Sequence, residues 1–252
     1  MKIVLTNDDG ILSEGIYAIY KELVKIGDVI VVAPDREQSS ISHSITLTRP
    51  LWKHEIERNS RPFGTALSGT PADCVKYALR FLSKKKPDLV VSGINPGSNE
   101  GCSVFYSGTV AGAREGAMNG IPAIALSVNA FQNVNYLSTA KYGIRIIKNM
   151  LKNPLPKGSF LNVNVPHKPI RQIKGIRITR QGMVPINAKF SEHVNPYGAK
   201  YFWMAGIMPP KTDDLLIDTA ALLHDYVAVT PLQCDQTDYS LLTDKYMKFY
   251  QK

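Results

Sequence analysis

Apolar and polar positions along this chain fall into short blocks whose period keeps changing. Lys2–Thr6, with Ile3-Val4-Leu5 at its centre, reads as a strand. Ile16, Ile19, Tyr20, Leu23 and Val24 then recur at helical spacing until Gly27 stops the helix. Asp28–Ala33 is almost uniformly apolar, as a strand in a sheet covered on both faces must be. A looser alternation from Ile45 to Ser68 predicts short extended segments. Thr70-Pro71-Ala72-Asp73 combines a hydroxyl cap, a proline in the first turn and an acid three residues on, so a helix should run from there to about Ser83. Strands at Asp88–Ser92, Ala123–Ser127 and Phe160–Val165 then alternate with helices at Thr109–Asn119 and Ser138–Leu151, the second capped by Ser138.

Such alternation predicts the α/β class and a mostly parallel, doubly wound sheet. After Pro166 the pattern changes. Ile173–Arg180 reads as a strand, and Glu192–Ala205 as a hairpin arm turning at Asn195-Pro196-Tyr197-Gly198. A short helix near Thr219–His224, a strand at Tyr226–Thr230 and an amphipathic tail around Leu241–Tyr250 follow. The chain therefore divides into a core of residues 1–166 and an accessory region of residues 167–252, within one domain overall. The accessory region packs on the core or reaches to a second subunit. Within it Tyr201-Phe202-Trp203-Met204 reads most simply as a buried strand, with an interface or lid as the other reading.

Composition narrows the partners. The 252 residues are 44% hydrophobic, ordinary for a globular protein, and no window has the apolar run needed to cross a bilayer. The N-terminus lacks the pattern of a signal peptide, so a cytoplasmic location and no membrane partner are expected. Cys74, Cys102 and Cys234 form no CxxC and are expected as small buried apolar residues, neither a disulfide framework nor a zinc site. A net charge of +9 and a pI near 9.4 would suit anionic substrates. The one compact basic run, Lys84-Lys85-Lys86, falls where a helix should end and complements its dipole. No stable nucleic-acid partner is expected.

Candidate chemistry gathers at the carboxyl ends of strands, where ligands bind in an open parallel sheet. The first strand ends in Asn7-Asp8-Asp9-Gly10. The second leads through Asp35-Arg36-Glu37-Gln38-Ser39-Ser40 to Ser42-His43-Ser44, and the strand at Asp88–Ser92 leads into Gly93-Ile94-Asn95-Pro96-Gly97-Ser98-Asn99. Adjacent acids repel each other, and a hard divalent cation relieves that repulsion. Two carboxylates with neutral oxygens from Ser and Asn suit Mg²⁺, Mn²⁺ or Ca²⁺ better than zinc. Ser107-Gly108-Thr109 opens a helix and has the free amides and hydroxyls of a phosphate site. Taken singly, Thr109 is also an ordinary helix cap and Gly97 an ordinary turn residue. Their proximity to the acids favours an anion pocket that includes Asn95, Gly97, Ser107, Gly108 and Thr109.

Six segments in order resemble the SurE family of metal-dependent 5'/3'-nucleotidases, the stationary-phase survival proteins. They are Leu5–Gly10, Val32–Asp35, Gly69–Val75, Ser92–Asn95, Tyr106–Val110 and Val229–Leu232. The resemblance implies a Rossmann-like core and a C-terminal swapped arm that builds homodimers or homotetramers. It implies one divalent cation per subunit held by Asp8, Asp9, Ser39 and Asn95, and hydrolysis of nucleoside monophosphates with some activity on short polyphosphate. Two departures stand out: Ser103 where the family often has an acid, and Asn195-Pro196-Tyr197-Gly198 in place of Asp-Pro-Arg-Gly. In the implied reaction the cation offsets phosphoryl charge and lowers the pKa of a nearby water. Asp8, Asn95, Ser107, Thr109 and His43 are the catalytic candidates. Water is the expected attacking group in preference to Asp8, and His43 the general acid, its plainer reading being a loop histidine bonded to neighbouring serines.

Three other functions compete. A haloacid-dehalogenase-type phosphatase would need its nucleophilic aspartate where this chain has Asn7, and an amide forms no aspartyl-phosphate. A non-catalytic nucleotide- or RNA-binding protein fits the basic pI but lacks an aromatic RNA-binding motif or basic stripe. A dinucleotide-dependent oxidoreductase would need GxGxxG where the chain has Asn-Asp-Asp-Gly.

Overall fold

The computed structural model describes residues 1–183, 188–205 and 212–242. Along the chain, β1 (Lys2–Thr6), α1 (Glu14–Leu23) and β2 (Asp28–Pro34) form the opening unit. A hairpin follows, β3 (Lys53–Arg58) and β4 (Arg61–Leu67), then α2 (Pro71–Tyr77), which continues into a wider turn over Ala78–Leu82. Next come β5 (Leu89–Pro96), α3 (Gly108–Met118), β6 (Ala123–Asn129), α4 (Leu137–Lys152) and β7 (Ser159–Pro166). Beyond them lie β8 (Ile176–Ile178), β9 (Lys189–Val194), β10 (Lys200–Ala205), α5 (Asp218–Leu223) and β11 (Val227–Gln233).

One nine-stranded sheet has the order β3-β4-β2-β1-β5-β6-β7-β11-β8. It is parallel from β4 through to β7. The alternation of strand and helix thus yields the α/β architecture expected of it. From β1 the chain first winds outward through β2, then returns to place β5 on the other side of β1. The order therefore reverses between β1 and β5, and a crevice opens beyond their carboxyl ends. The apolar runs explain the layers. Along β1, Ile3 and Leu5 join the core beneath α1 and α4, while Val4 faces the core beneath α2 and α3. At the start of α2, Thr70 and Asp73 form the expected capping box.

Several details differ from expectation. α4 begins at Leu137 without a side-chain cap: the Ser138 hydroxyl instead donates to the Lys168 carbonyl (2.8 Å), and Asn135 Oδ1 accepts from the Leu137 N–H (3.0 Å). Only Cys74 is fully buried, and Cys102 and Cys234 are half-buried. The sheet does not stop at Pro166, because β11 pairs antiparallel with β7, and β8 pairs parallel with β11. β9 and β10 pair with each other as a separate two-stranded sheet. The buried-strand reading of Tyr201–Met204 fails: Phe202, Trp203 and Met204 are 59%, 64% and 61% exposed, because this hairpin stands off the main sheet. The tail expected around Leu241–Tyr250 lies almost wholly outside the described residues. Among the described residues, no helix is long and apolar enough to cross a membrane.

Candidate active site

The site grows from the loop that leaves β1. Buried Asn7 staples it: its Nδ2 donates to the Gly10 carbonyl (2.9 Å) and to Ser13 Oγ (2.8 Å). From the neighbouring strand's loop, the Gln38 N–H donates to the Asp8 carbonyl (2.7 Å). Asp8 is then pressed, almost fully buried, against the first turn of α3. The Thr109 hydroxyl donates to Asp8 Oδ1. This approach needs glycines on α3. A Cβ on Gly108 would stand 2.9 Å from Asp8 Cβ, one on Gly112 would stand 2.7 Å from Ser92 Oγ, and one on Gly116 would stand 2.7 Å from Val90 Cβ. The helix lies closely on β5, touching the end of β1 at Thr6, because Gly108, Gly112 and Gly116 leave that stripe without side chains.

The electrostatics of this corner are unrelieved. Burial pushes the Asp8 carboxyl above its ordinary range despite hydrogen bonds from the Thr109 hydroxyl and N–H. Burial, reinforced by the charges of Asp8 and Glu37, pushes Asp9 up to about 8. Asp9 Oδ2 is buried with no hydrogen-bond partner among the described residues. An acidic oxygen orphaned beside a second carboxylate fits a hard cation. Asn95 fits as well. Its Nδ2 donates to the carbonyls of Pro96 (3.1 Å) and Gly97 (2.7 Å), which leaves the amide oxygen as the atom to offer a cation. Among the described residues no three His, Cys, Asp or Glu side chains gather as a metal cluster. An ion here would complete its shell with neutral oxygens.

The other candidates fall at differing distances from this centre. Ser107 caps α3 by accepting from the Val110 N–H (3.1 Å), so its own hydroxyl proton is available. Thr109 gives its proton to Asp8, and is thus an orienting group more than a phosphate donor. Ser39 is exposed, and its hydroxyl donates to the Glu37 carboxylate. Gly97 occupies a left-handed turn (φ 99°) and its N–H donates to the Val128 carbonyl (2.9 Å). His43 Nε2 lies 3.0 Å from Glu115 Oε2, and Lys76 Nζ lies 2.8 Å from Glu115 Oε1. Burial raises the Glu115 carboxyl, but the bonds from His43 and Lys76 outweigh it and hold the group below its ordinary range. His43 is therefore engaged with neither the serines nor Asp8. Glu115 is six residues along α3 from Thr109, roughly 9 Å of helix rise.

Sequence reasoning passed over Glu37, whose charge acts on both acids, although it lies in the same strand-end segment as Ser39. It also missed Asn162 and Asn164. With Ser127 they pin the loop after β5: the Asn99 N–H donates to Asn164 Oδ1 (2.7 Å), Asn99 Nδ2 to Ser127 Oγ (2.8 Å), and Asn162 Nδ2 to the Asn99 carbonyl (2.6 Å). Two amides at alternate positions of an otherwise apolar strand were the available signal.

The sequence profile described as "Survival protein SurE" matches residues 3–187. This chain belongs to the SurE family. It is 43% identical over 242 residues to a protein of Syntrophobacter fumaroxidans named 5'-nucleotidase SurE, covering 96% of this chain and 97% of that one. A protein of the same name from Carboxydothermus hydrogenoformans is 45% identical over 249 residues, covering 97% and 94%. The crystal structure of the SurE protein from Aquifex aeolicus superposes with a TM-score of 0.88 at 40% identity, covering 100% of both chains. The SurE segments Leu5–Gly10, Val32–Asp35, Ser92–Asn95 and Tyr106–Val110 converge at the β1/β5 crevice. Of the two departures, Ser103 lies in the turn Gly101–Phe105, where its carbonyl accepts the N–H groups of Tyr106 and Ser107 (both 3.1 Å). Asn195–Gly198 forms the β9–β10 turn, with Asn195 Oδ1 accepting from the Tyr197 N–H (2.9 Å).

Proposed function

We propose that this SurE protein is a phosphomonoesterase that hydrolyses nucleoside 5'-monophosphates to nucleoside and phosphate, and that the same site accepts 3'-monophosphates and short polyphosphate. Its relatives bear the name 5'-nucleotidase, which sets aside a binder without turnover. The reaction uses one divalent cation, Mg²⁺ or Mn²⁺, in a place that Ca²⁺ can also occupy. Asp8, Asp9, Ser39 and Asn95 would hold it. The observation that carries this reading is the buried acid pair, with Asp9 Oδ2 lacking any partner among the described residues.

When bound, the cation supplies charge neutralisation and Lewis acidity to the phosphoryl group. The rest falls to the chain. Thr109 fixes the orientation of Asp8 through its hydroxyl. Ser107 donates its free hydroxyl proton to a phosphate oxygen. The Gly108 N–H precedes the first bond of α3, from Ala111 N–H to the Ser107 carbonyl, and offers a second donor where the helix dipole favours negative charge. These donors strengthen as charge builds on the phosphoryl oxygens in the transition state. Gly97 shapes the loop that bounds the anion. His43, turned to Glu115, secures the segment that carries Ser39 in place of protonating the leaving alkoxide.

Phosphate release from AMP should be abolished by EDTA and restored by Mg²⁺ or Mn²⁺. Asp8→Asn keeps an oxygen for the Thr109 hydroxyl, so it should fold normally and lose about two to three orders of magnitude in turnover. Full turnover in EDTA, or an unimpaired Asp8→Asn variant, would refute the site.

A further inference from the structure

Beside the proposed phosphate corner runs the loop joining β6 to α4. Its Phe131 is 80% exposed. The ring's close neighbour is the Gly97 backbone. A Cβ built on Gly97 would stand 2.4 Å from Phe131 Cε1, 3.0 Å from Cζ and 3.1 Å from Cδ1. Those three atoms are adjacent on the ring, so this side of it lies against the Gly97 backbone while most of its surface is open to solvent. Any side chain at position 97 would displace it.

The two loops are tied together. The Gly97 N–H donates to the Val128 carbonyl (2.9 Å), and Ser98 Oγ lies 3.4 Å from Asn129 Oδ1. Gly97 is also joined to the site, because its carbonyl accepts from Asn95 Nδ2 (2.7 Å). An exposed aromatic ring is thus footed on the residue that braces a proposed cation ligand. Further along the same loop, Tyr136 Cε1 and the Ile94 carbonyl both crowd Gly15, at 3.2 Å and 2.0 Å from a Cβ built there, so the loop runs beside the end of β5.

We propose that Phe131 is the platform on which the substrate's nucleobase stacks, and that it makes the site prefer nucleotides to base-free phosphomonoesters. This rests on the nucleotidase reading. A nucleotide whose phosphate sits at Asn95 and Ser107 carries its base one ribose away, and Phe131 is linked to that corner through Gly97. Stacking on a π-face tolerates every base, so the platform selects for a base without selecting which one.

The test compares AMP with ribose 5-phosphate, the same phosphoester without the base, in the wild type, Phe131→Ala and Phe131→Trp. Phe131→Ala should raise KM for AMP about tenfold, equivalent to about 1.4 kcal/mol and within the range for base–aromatic stacking. Its kcat, and both constants for ribose 5-phosphate, should stay within about twofold, and Phe131→Trp should restore the AMP value. An unchanged AMP to ribose 5-phosphate ratio in Phe131→Ala would overturn the platform. So would dissociation of an oligomer by that substitution, since the ring would then be a subunit contact. Calorimetric binding of both ligands in Mg²⁺ repeats the comparison without turnover. A wild type that releases no phosphate from either ligand sinks the hydrolase reading, while base-dependent binding lost in Phe131→Ala still supports the platform.

Discussion

Asp8 and Asp9 are held where the protein's own groups cannot neutralise both. Asp9 titrates near 8 when folded, against roughly 3.9 in an unfolded chain, so without metal the native state keeps a proton that the unfolded state has already released. The unfolded state binds fewer protons across that window, and stability therefore falls as pH rises from about 4 to about 8. Thermal melts in EDTA should show this decline, and Asp9→Asn should make it shallower, the raised Asp8 carboxyl keeping part of it. An identical slope in that variant would mean that Asp9 is not the group responsible. Mg²⁺ should stabilise most at the alkaline end, where both acids are charged. His43 is the second residue-scale case. A general acid contributes about 10²–10⁴-fold, whereas a residue that only positions a loop contributes much less. His43→Gln, which can still bond Glu115, should keep kcat within about threefold, and a hundredfold loss would return the general-acid role to it. The neighbouring acids were legible in the sequence because two carboxylates at a strand end are conspicuous. The destinations of the Thr109 and His43 hydrogen bonds were not, since a hydroxyl or imidazole has many equivalent partners until the chain folds.

At the scale of the element, α3 does most to assemble the site. Its first turn faces Asp8, its glycines allow it to lie close on β5, and Glu115 anchors the loop that carries His43. Gly112→Ala tests that arrangement, because two effects oppose each other. Alanine is favoured over glycine within a helix by about 1 kcal/mol. Yet the added carbon would stand 2.7 Å from Ser92 Oγ and 2.9 Å from Thr6 Cγ2, both on buried strands that cannot retreat. Overpacking of this kind costs about 1–3 kcal/mol, so the clash should win. The variant should melt lower and lose activity together, as α3 lifts away from Asp8. A variant more stable than wild type would show that α3 has slack. Helix and strand identities from β1 to β7 were legible from apolar periodicity. The cap of α4 was not, because Asn135 and Ser138 are both acceptable capping residues locally and only the fold sends the Ser138 hydroxyl to Lys168.

For the whole molecule, the question is what covers the β9–β10 hairpin. A lone two-stranded ribbon is at best marginal in water. This one also exposes Phe190, Tyr201, Phe202, Trp203 and Met204. A second copy of the chain is the proposed cover, giving a homodimer or homotetramer in which the arm is exchanged or docked. Replacing Phe202 and Trp203 together with serine should yield a monomer by light scattering, with the nine-stranded core intact by circular dichroism. An unchanged oligomer would place the interface elsewhere. The exposure itself was illegible: an apolar tetrapeptide reads alike whether a core or another subunit buries it. The extension of the sheet beyond Pro166 was equally hidden, since the pairing of Ser159–Pro166 with Val227–Gln233 spans a long stretch of chain.

Taken by itself, the sequence determined the strands and helices, the parallel sheet, and the crowding of acids, serines and asparagines at strand ends. Each of these is a property of a short window, set by side-chain period and by the need to bury apolar surface. Tertiary structure alone decided which distant groups meet: Thr109 with Asp8 across 101 residues, His43 with Glu115 across 72, and Phe131 with Gly97. Such contacts join segments that are locally indifferent to one another, and only the packing of α3 and the loops against one sheet selects among them.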